Sequence, residues 1–167
     1  MPANNPKEVF MLMLSNVRQG AERTTKVFQE LSQAAQNPEI KEALESRAYI
    51  HDKILGTLDQ CFKLIGEQPV KTTGRLQEVF VEDFKRELAE IQSPAARHLF
   101  ILYKAVHLMH LRIGEYVALT AAADYTGHYA VGSLLETCLA DKLALAERTK
   151  RLIRKAAEAA VTQRMAA

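Results

Sequence analysis

The stretch NPEIKEALESRAYIHDKILGTLDQCFKLIGEQP, residues 37–69, decides the fold. Asn37 precedes Pro38, and this pair marks a helix start. The Asn side chain can cap orphan amides, and Pro sits at the first helical position, where no N–H is needed. Glu39 adds negative charge at the positive end of the helix dipole. Gly66 lies just past the last apolar residues, as a terminating glycine does. Between these signals Ile40, Ala43, Arg47, Ile50, Ile54, Thr57 and Cys61 recur at alternating spacings of three and four, flanked by Leu58, Leu64 and Ile65. That is the core-facing stripe of a bundle helix, predicted here over 38–65.

The same signals repeat on both sides. Asn5-Pro6 and Ser93-Pro94 are further starts, and Gly127 is a second stop. They predict helices over 6–36, 94–125 and 129–160, which with 38–65 would each be roughly 40–48 Å long. The first carries Phe10, Leu14, Val17, Ala21, Thr24, Phe28, Leu31 and Ala35 on one seam. On 94–125 the seam runs Leu99, Leu102, Val106, Met109, Ile113, Tyr116, Thr120 and Ala123, and on 129–160 it runs Val131, Leu134, Cys138, Asp141, Leu145, Arg148 and Leu152. Tight turns make the first two helices antiparallel neighbours, and likewise the last two. The link 66–93 is too long for a turn and repeats Leu76, Val79, Phe80, Phe84, Leu88 and Ile91 at helical spacing. The expected fold is all-α: a ferritin-like four-helix bundle with one long crossover containing a short extra helix.

A chain of 167 residues with seven Gly and five Pro suits a single domain. It is placed at 8–160, with 1–5 and 161–167 as flexible termini. The net charge of +2 names no nucleic-acid or membrane partner, although residues 142–167 carry seven Lys/Arg against two Glu. In that segment Arg148, Lys150, Arg151, Arg154 and Lys155 could bind nucleic acid or an anionic lipid surface, against the plainer reading that cations near a helix C-terminus complement the dipole. Cys61 and Cys138 form no CxxC pair or zinc spacing and read as small core residues. The apolar run Val9 to Leu14 is short for a secretory signal, and nothing approaches a membrane-spanning length. A cytoplasmic location with reduced cysteines is expected.

A bundle of this kind often holds carboxylate-bridged metals, which need several Glu or Asp projecting inward. Only Asp141 falls on any of the four seams. Three stretches resemble the bacterial YciE/YciF family of ferritin-like stress proteins, a domain of unknown function: EVFMLMLSN at 8–16, the whole of 37–69, and GEYVALTAAADYTG at 114–127. The resemblance runs over most of 8–155. It implies a dinuclear metal site on the inner faces, and it implies a dimer. Carried over without gaps, the family's first-helix Glu falls on Ala21, beside Glu22. Ligands of the second helix fall near Tyr49 to Ile54, whose seam residues are Ile50 and Ile54. The acidic positions of the next helix fall on Met109 and Arg112, with His110 retained between them. A Glu-Glu pair of the last helix falls on Asp141 and Lys142. Asp141 alone keeps the chemistry, so the family's metal site is expected to be lost.

Two arrangements remain to be weighed. His107 and His110 share a helix face, and His51 can approach from the second helix. With Asp141 or Glu115 they would make a zinc or iron site, against the plainer reading that they sit on the bundle's flanks. A lone seam carboxylate must be paired, protonated or near water. Arg47 and Arg112 lie at about its depth, so a buried Arg–Asp pair is one expectation and a solvent-reaching Asp141 the other. There is no Gly-rich phosphate loop, nucleophile elbow or credible triad. The reading is a non-catalytic structural or interaction protein with no cofactor, a homodimer with a protein partner not named by the sequence. A metal-dependent oxidoreductase with iron or zinc on His51, His107, His110 and Asp141 is the alternative. Val27, Val79, Val81 and Phe84 are offered as an association stripe.

Overall fold

The computed structural model describes residues 3–165, apart from the side chains of 47–49, 51 and 159–165. Among the described residues it contains α1 (Pro6–Ala34), α2 (Pro38–Ile65), α3 (Arg75–Glu90), α4 (Pro94–Tyr125) and α5 (Tyr129–Met165). The starts are capped as the sequence directs. Asn5 accepts from the Glu8 amide, Asn37 from those of Glu39 and Ile40, and Ser93 from that of Ala96. Gly66 and Gly127 take left-handed φ values of 77° and 79°, which side chains with a Cβ rarely adopt. α1 stops at Ala34, short of the expected 36, and α5 continues to Met165, beyond the expected 160. Of the expected flexible termini, residues 1–2 and 166–167 lie outside the described residues.

α1 and α2 form one hairpin and α4 and α5 the other, with α1 packed on α4 and α2 on α5. Val17 meets Arg112 while Lys155 reaches back to Glu39, so these lateral pairs are antiparallel too. α2 therefore ends at the opposite end of the bundle from the start of α4, and the link must travel its length. α3 lies along α1 and α4 on the way. Arg23 of α1 holds its start through the Gly74 carbonyl and Glu78, and Arg97 of α4 holds its end by donating to the Leu88 and Ile91 carbonyls at 2.9 and 3.0 Å. Between these anchors, buried Lys104 pairs with Glu87 at 2.6 Å and lies between the rings of Phe80 and Phe100.

α3 also covers apolar surface. Val27 and Phe84, expected on an association stripe, are both buried in one core cluster, and only the Val79 and Val81 part of that stripe faces outward or is half-buried. The core has two apolar clusters. One, at the Phe10 end, includes Leu14, Leu58, Cys61, Leu119 and Leu135. The other, at the opposite end, includes Phe28, Leu31, Leu44, Ile101, Leu102 and Leu145. The charged side chains described next are buried between them.

Candidate functional site

Arg112 of α4 is 2 % exposed, and its Nη2 donates to the Val17 carbonyl of α1 at 2.7 Å. Room for it comes from Gly20. A Cβ there would collide with Arg112 Nη1 and stand 2.8 Å from Nε2 of buried Gln77 on α3. Glu115, one turn along α4, makes an ion pair with Nη1. The two groups face each other in charge without an aligned hydrogen bond, and Nε of Arg112 has no hydrogen-bond partner among the described residues. Burial holds the Glu115 carboxyl above its ordinary range, with Arg112 and Lys142 pulling it back.

Lys142 of α5 completes the layer. It is 5 % exposed, and its Nζ stands 4.8 Å over the Tyr116 ring. Burial, followed by the neighbouring Arg112, pushes its pKa down to about 7, while Cys138, Glu115 and Asp141 oppose the fall. Tyr116 is itself fully buried, its phenol pushed up chiefly by burial and its hydroxyl without a hydrogen-bond partner among the described residues. The bundle centre thus buries two basic side chains against one carboxylate. A cavity of about 10 Å³ adjoins them, lined by Phe28, Leu108, Met109, Arg112, Lys142 and Leu145.

Asp141 is elsewhere. Its carboxylate pairs with Lys53 of α2 at 3.2 Å, and its side chain is 35 % exposed. Of the two readings of Asp141, the structure places it at the surface and not against Arg112: α5 is turned so that Lys142 and Thr149 face inward, in place of Asp141 and Arg148. Arg47, the other proposed partner, and His51 fall outside the described side chains. His107 and His110 are exposed, and His107 packs its ring near Phe80 and Tyr103. Glu115, the possible fourth ligand, is held by Arg112. Among the described residues no group of three or more His, Cys, Asp or Glu is placed to hold a metal ion.

Of the positions on which the resemblance places ligands, Ala21, Ile54, Met109, Arg112 and Lys142 are buried, whereas His110 is exposed and Asp141 is paired with Lys53 at the surface. The donor set is wrong for a carboxylate-bridged metal pair. Ala and Met bring no carboxylate, and Arg112 and Lys142 bring positive charge to a place that would need negative. These residues do not fit such a centre.

Sequence reasoning passed over Lys142 because Asp141 beside it had the more familiar chemistry. It passed over Gly20 altogether. A mid-helix glycine costs about 1 kcal/mol relative to alanine, and that was the available signal of a packing need.

Two antiparallel hairpins, a lengthwise crossover and a polar layer between apolar ends define a ferritin-like helical bundle. The sequence profile of the family described as "Domain of unknown function (DUF892)" matches residues 5–166, and the chain belongs to that family. The Escherichia coli stress protein YciF is similar in structure, with a TM-score of 0.87 at 18 % identity over 93 % of this chain and 99 % of that one. YcfI of Rhodopseudomonas palustris, proposed to be a structural protein, gives 0.83 at 21 % over 88 % and 94 %. A protein of Xanthomonas campestris gives 0.75 at 17 % over 96 % and 99 %. At these identities the likeness is one of fold. Among curated proteins the sequence has no match. No helix among the described residues is long and apolar enough to cross a membrane.

Proposed function

We propose that this chain is a non-catalytic structural or interaction member of its family, in which the dinuclear metal centre has been replaced by a cationic layer. The observation that carries this is the burial of Arg112 and Lys142 at positions where the resemblance implies carboxylates. A divalent ion beside two buried basic groups would add repulsion in a poorly screened interior, and one carboxylate already committed to Arg112 cannot offset it. A stress-associated role follows from the family resemblance and from the description of YciF. Residues 8–160 would act as one domain in the cytoplasm.

The homodimer implied by the family belongs to the same proposal. Apolar side chains of Ile91, Leu99, Phe100, Tyr103, Val106 and Ile153 line a hollow at one end of the bundle, with Leu99 and Tyr103 about half exposed. An apolar hollow of this kind suits a protein partner, a second copy included. The deciding experiment is metal analysis by mass spectrometry on untagged protein purified without chelator and reloaded with Fe(II), Mn(II) or Zn(II). Metal below about a tenth of an equivalent is expected. About one or two equivalents, lost on substituting His110 or Asp141, would make the chain a metalloprotein and overturn the reading.

A further inference from the structure

We propose that Arg112 and Lys142, with the cavity beside them, form a buried binding site for one small monovalent anion of chloride size. The inference rests on reading this layer as cationic rather than metal-binding. The cavity of about 10 Å³ admits a single occupant of roughly water size, which excludes sulfate and phosphate. Four of its six lining residues, Phe28, Leu108, Met109 and Leu145, are apolar. The other two are basic side chains, each more than nine-tenths buried. Nε of Arg112 has no hydrogen-bond partner among the described residues, and Nζ of Lys142 stands 4.8 Å over the Tyr116 ring.

The choice between an anion and a water turns on donors and acceptors. Guanidinium and ammonium groups only donate. A water in the cavity must also place its own two hydrogens, and among the lining side chains the acceptor left is the thioether of Met109, a weak one already approached by the Thr149 hydroxyl at 3.9 Å. An anion only accepts, so its needs match the lining. It also balances the charge, because Glu115 offsets one of the two cations and Asp141 is engaged by Lys53 at the surface.

Anion and proton should bind together. The groups facing Lys142 are Arg112, Glu115 and Tyr116 from α4 and Cys138 and Asp141 from its own helix, with Lys53 of α2 on Asp141 and apolar Phe28 from α1. Once Lys142 loses its proton, its amine can accept a hydrogen bond and a water fits the cavity equally well. The anion is therefore a ligand of the protonated layer.

The test is thermal unfolding of the full chain at about pH 6, with sodium gluconate replaced stepwise by sodium chloride at fixed ionic strength. The wild-type Tm is expected to rise saturably, by about 3–6 °C when chloride is tenfold above its Kd. The rise should fade above about pH 8 and be absent in Lys142→Met. A Tm that ignores chloride, or a rise that Lys142→Met retains in full, would overturn the site. If Lys142→Met does not fold, wild-type crystals soaked in sodium bromide decide: an anomalous peak in the cavity supports the anion, and a water there overturns it. Stabilisation by Fe(II), Mn(II) or Zn(II) that chelator reverses would instead defeat the metal-free reading, whatever chloride does.

Discussion

At the Phe10 end of the bundle, Leu14, Leu58, Leu119 and Leu135 close a core with hydrocarbon, whereas further along the same helices converge on Arg112, Glu115 and Lys142. Arg112 and Lys142 are buried as the leucines are, with Glu115 27 % exposed beside them, but the two regions are held by different forces. The apolar end gains from every side chain removed from water, and losing one costs only its own transfer and cavity energy. The central layer is interdependent: each charge is tolerable only while its neighbours stay in place.

Removing Arg112 should break that layer most severely. Arg112→Met strands Glu115 without its adjacent cation and leaves the Val17 carbonyl without the guanidinium bond. A loss of about 3–5 kcal/mol is expected by urea unfolding, and a loss below about 1 kcal/mol would mean the ion pair contributes nothing the solvent does not replace.

Lys142→Met should act in the opposite direction, since an apolar side chain of similar length replaces a charge that the interior disfavours. A gain of about 1–4 kcal/mol is expected at about pH 6 in chloride-free buffer. The wild type should also show a characteristic pH response. Because the fold depresses the Lys142 pKa from 10.5 to about 7, the unfolded chain holds the extra proton between those values, and stability rises with pH across that window. Burial pushes the Cys61 thiol up to about 12 from an ordinary 9.0, which removes stability as pH rises above 9.0. The rise should thus be clearest from about pH 7 to 9, and Lys142→Met should flatten it.

Glycines sharpen the contrast. Gly20→Ala places a methyl against Arg112 Nη1 and should cost about 1–3 kcal/mol despite alanine's better helix propensity. Gly56→Ala on α2 meets nothing within 4 Å and should stabilise by about 0.5–1 kcal/mol. Equal signs for the two in thermal melts would remove Gly20 from the account of the layer. The smallest effect is expected at Asp141, whose pairing with Lys53 is at the surface. Asp141→Asn should change stability by less than about 1 kcal/mol, less still at high salt.

The four helices were legible from local chemistry because their starts and stops are local. Every seam residue read on the first helix, from Phe10 to Ala35, is buried. The later helices were harder. On α4, Leu99 proves about half exposed, while Ile101, Ala105 and Leu108 are buried. On α5 the choice between Asp141 and Lys142 was invisible to hydropathy, since both are polar and spacings of three and four both continue a seam. A helix also drifts about 20° per heptad from a strict seven-residue repeat, so long helices accumulate such ambiguity. The lysine's hydrocarbon stem lets it line a core that an aspartate fits poorly.

By itself, then, the sequence determined the helix starts, the two glycine stops, the paired hairpins, the long crossover and the scarcity of carboxylates on the seams. Each of these follows from caps, glycine stops and periodicity that act within one helix or turn. Tertiary structure alone decided that Asp141 turns to Lys53 while Lys142 turns inward, and that Gly20 of one helix makes room for Arg112 of another. Those outcomes depend on how neighbouring helices rotate and how closely they approach, and on the energy of charges that share one poorly screened interior, which no single helix carries in its own pattern.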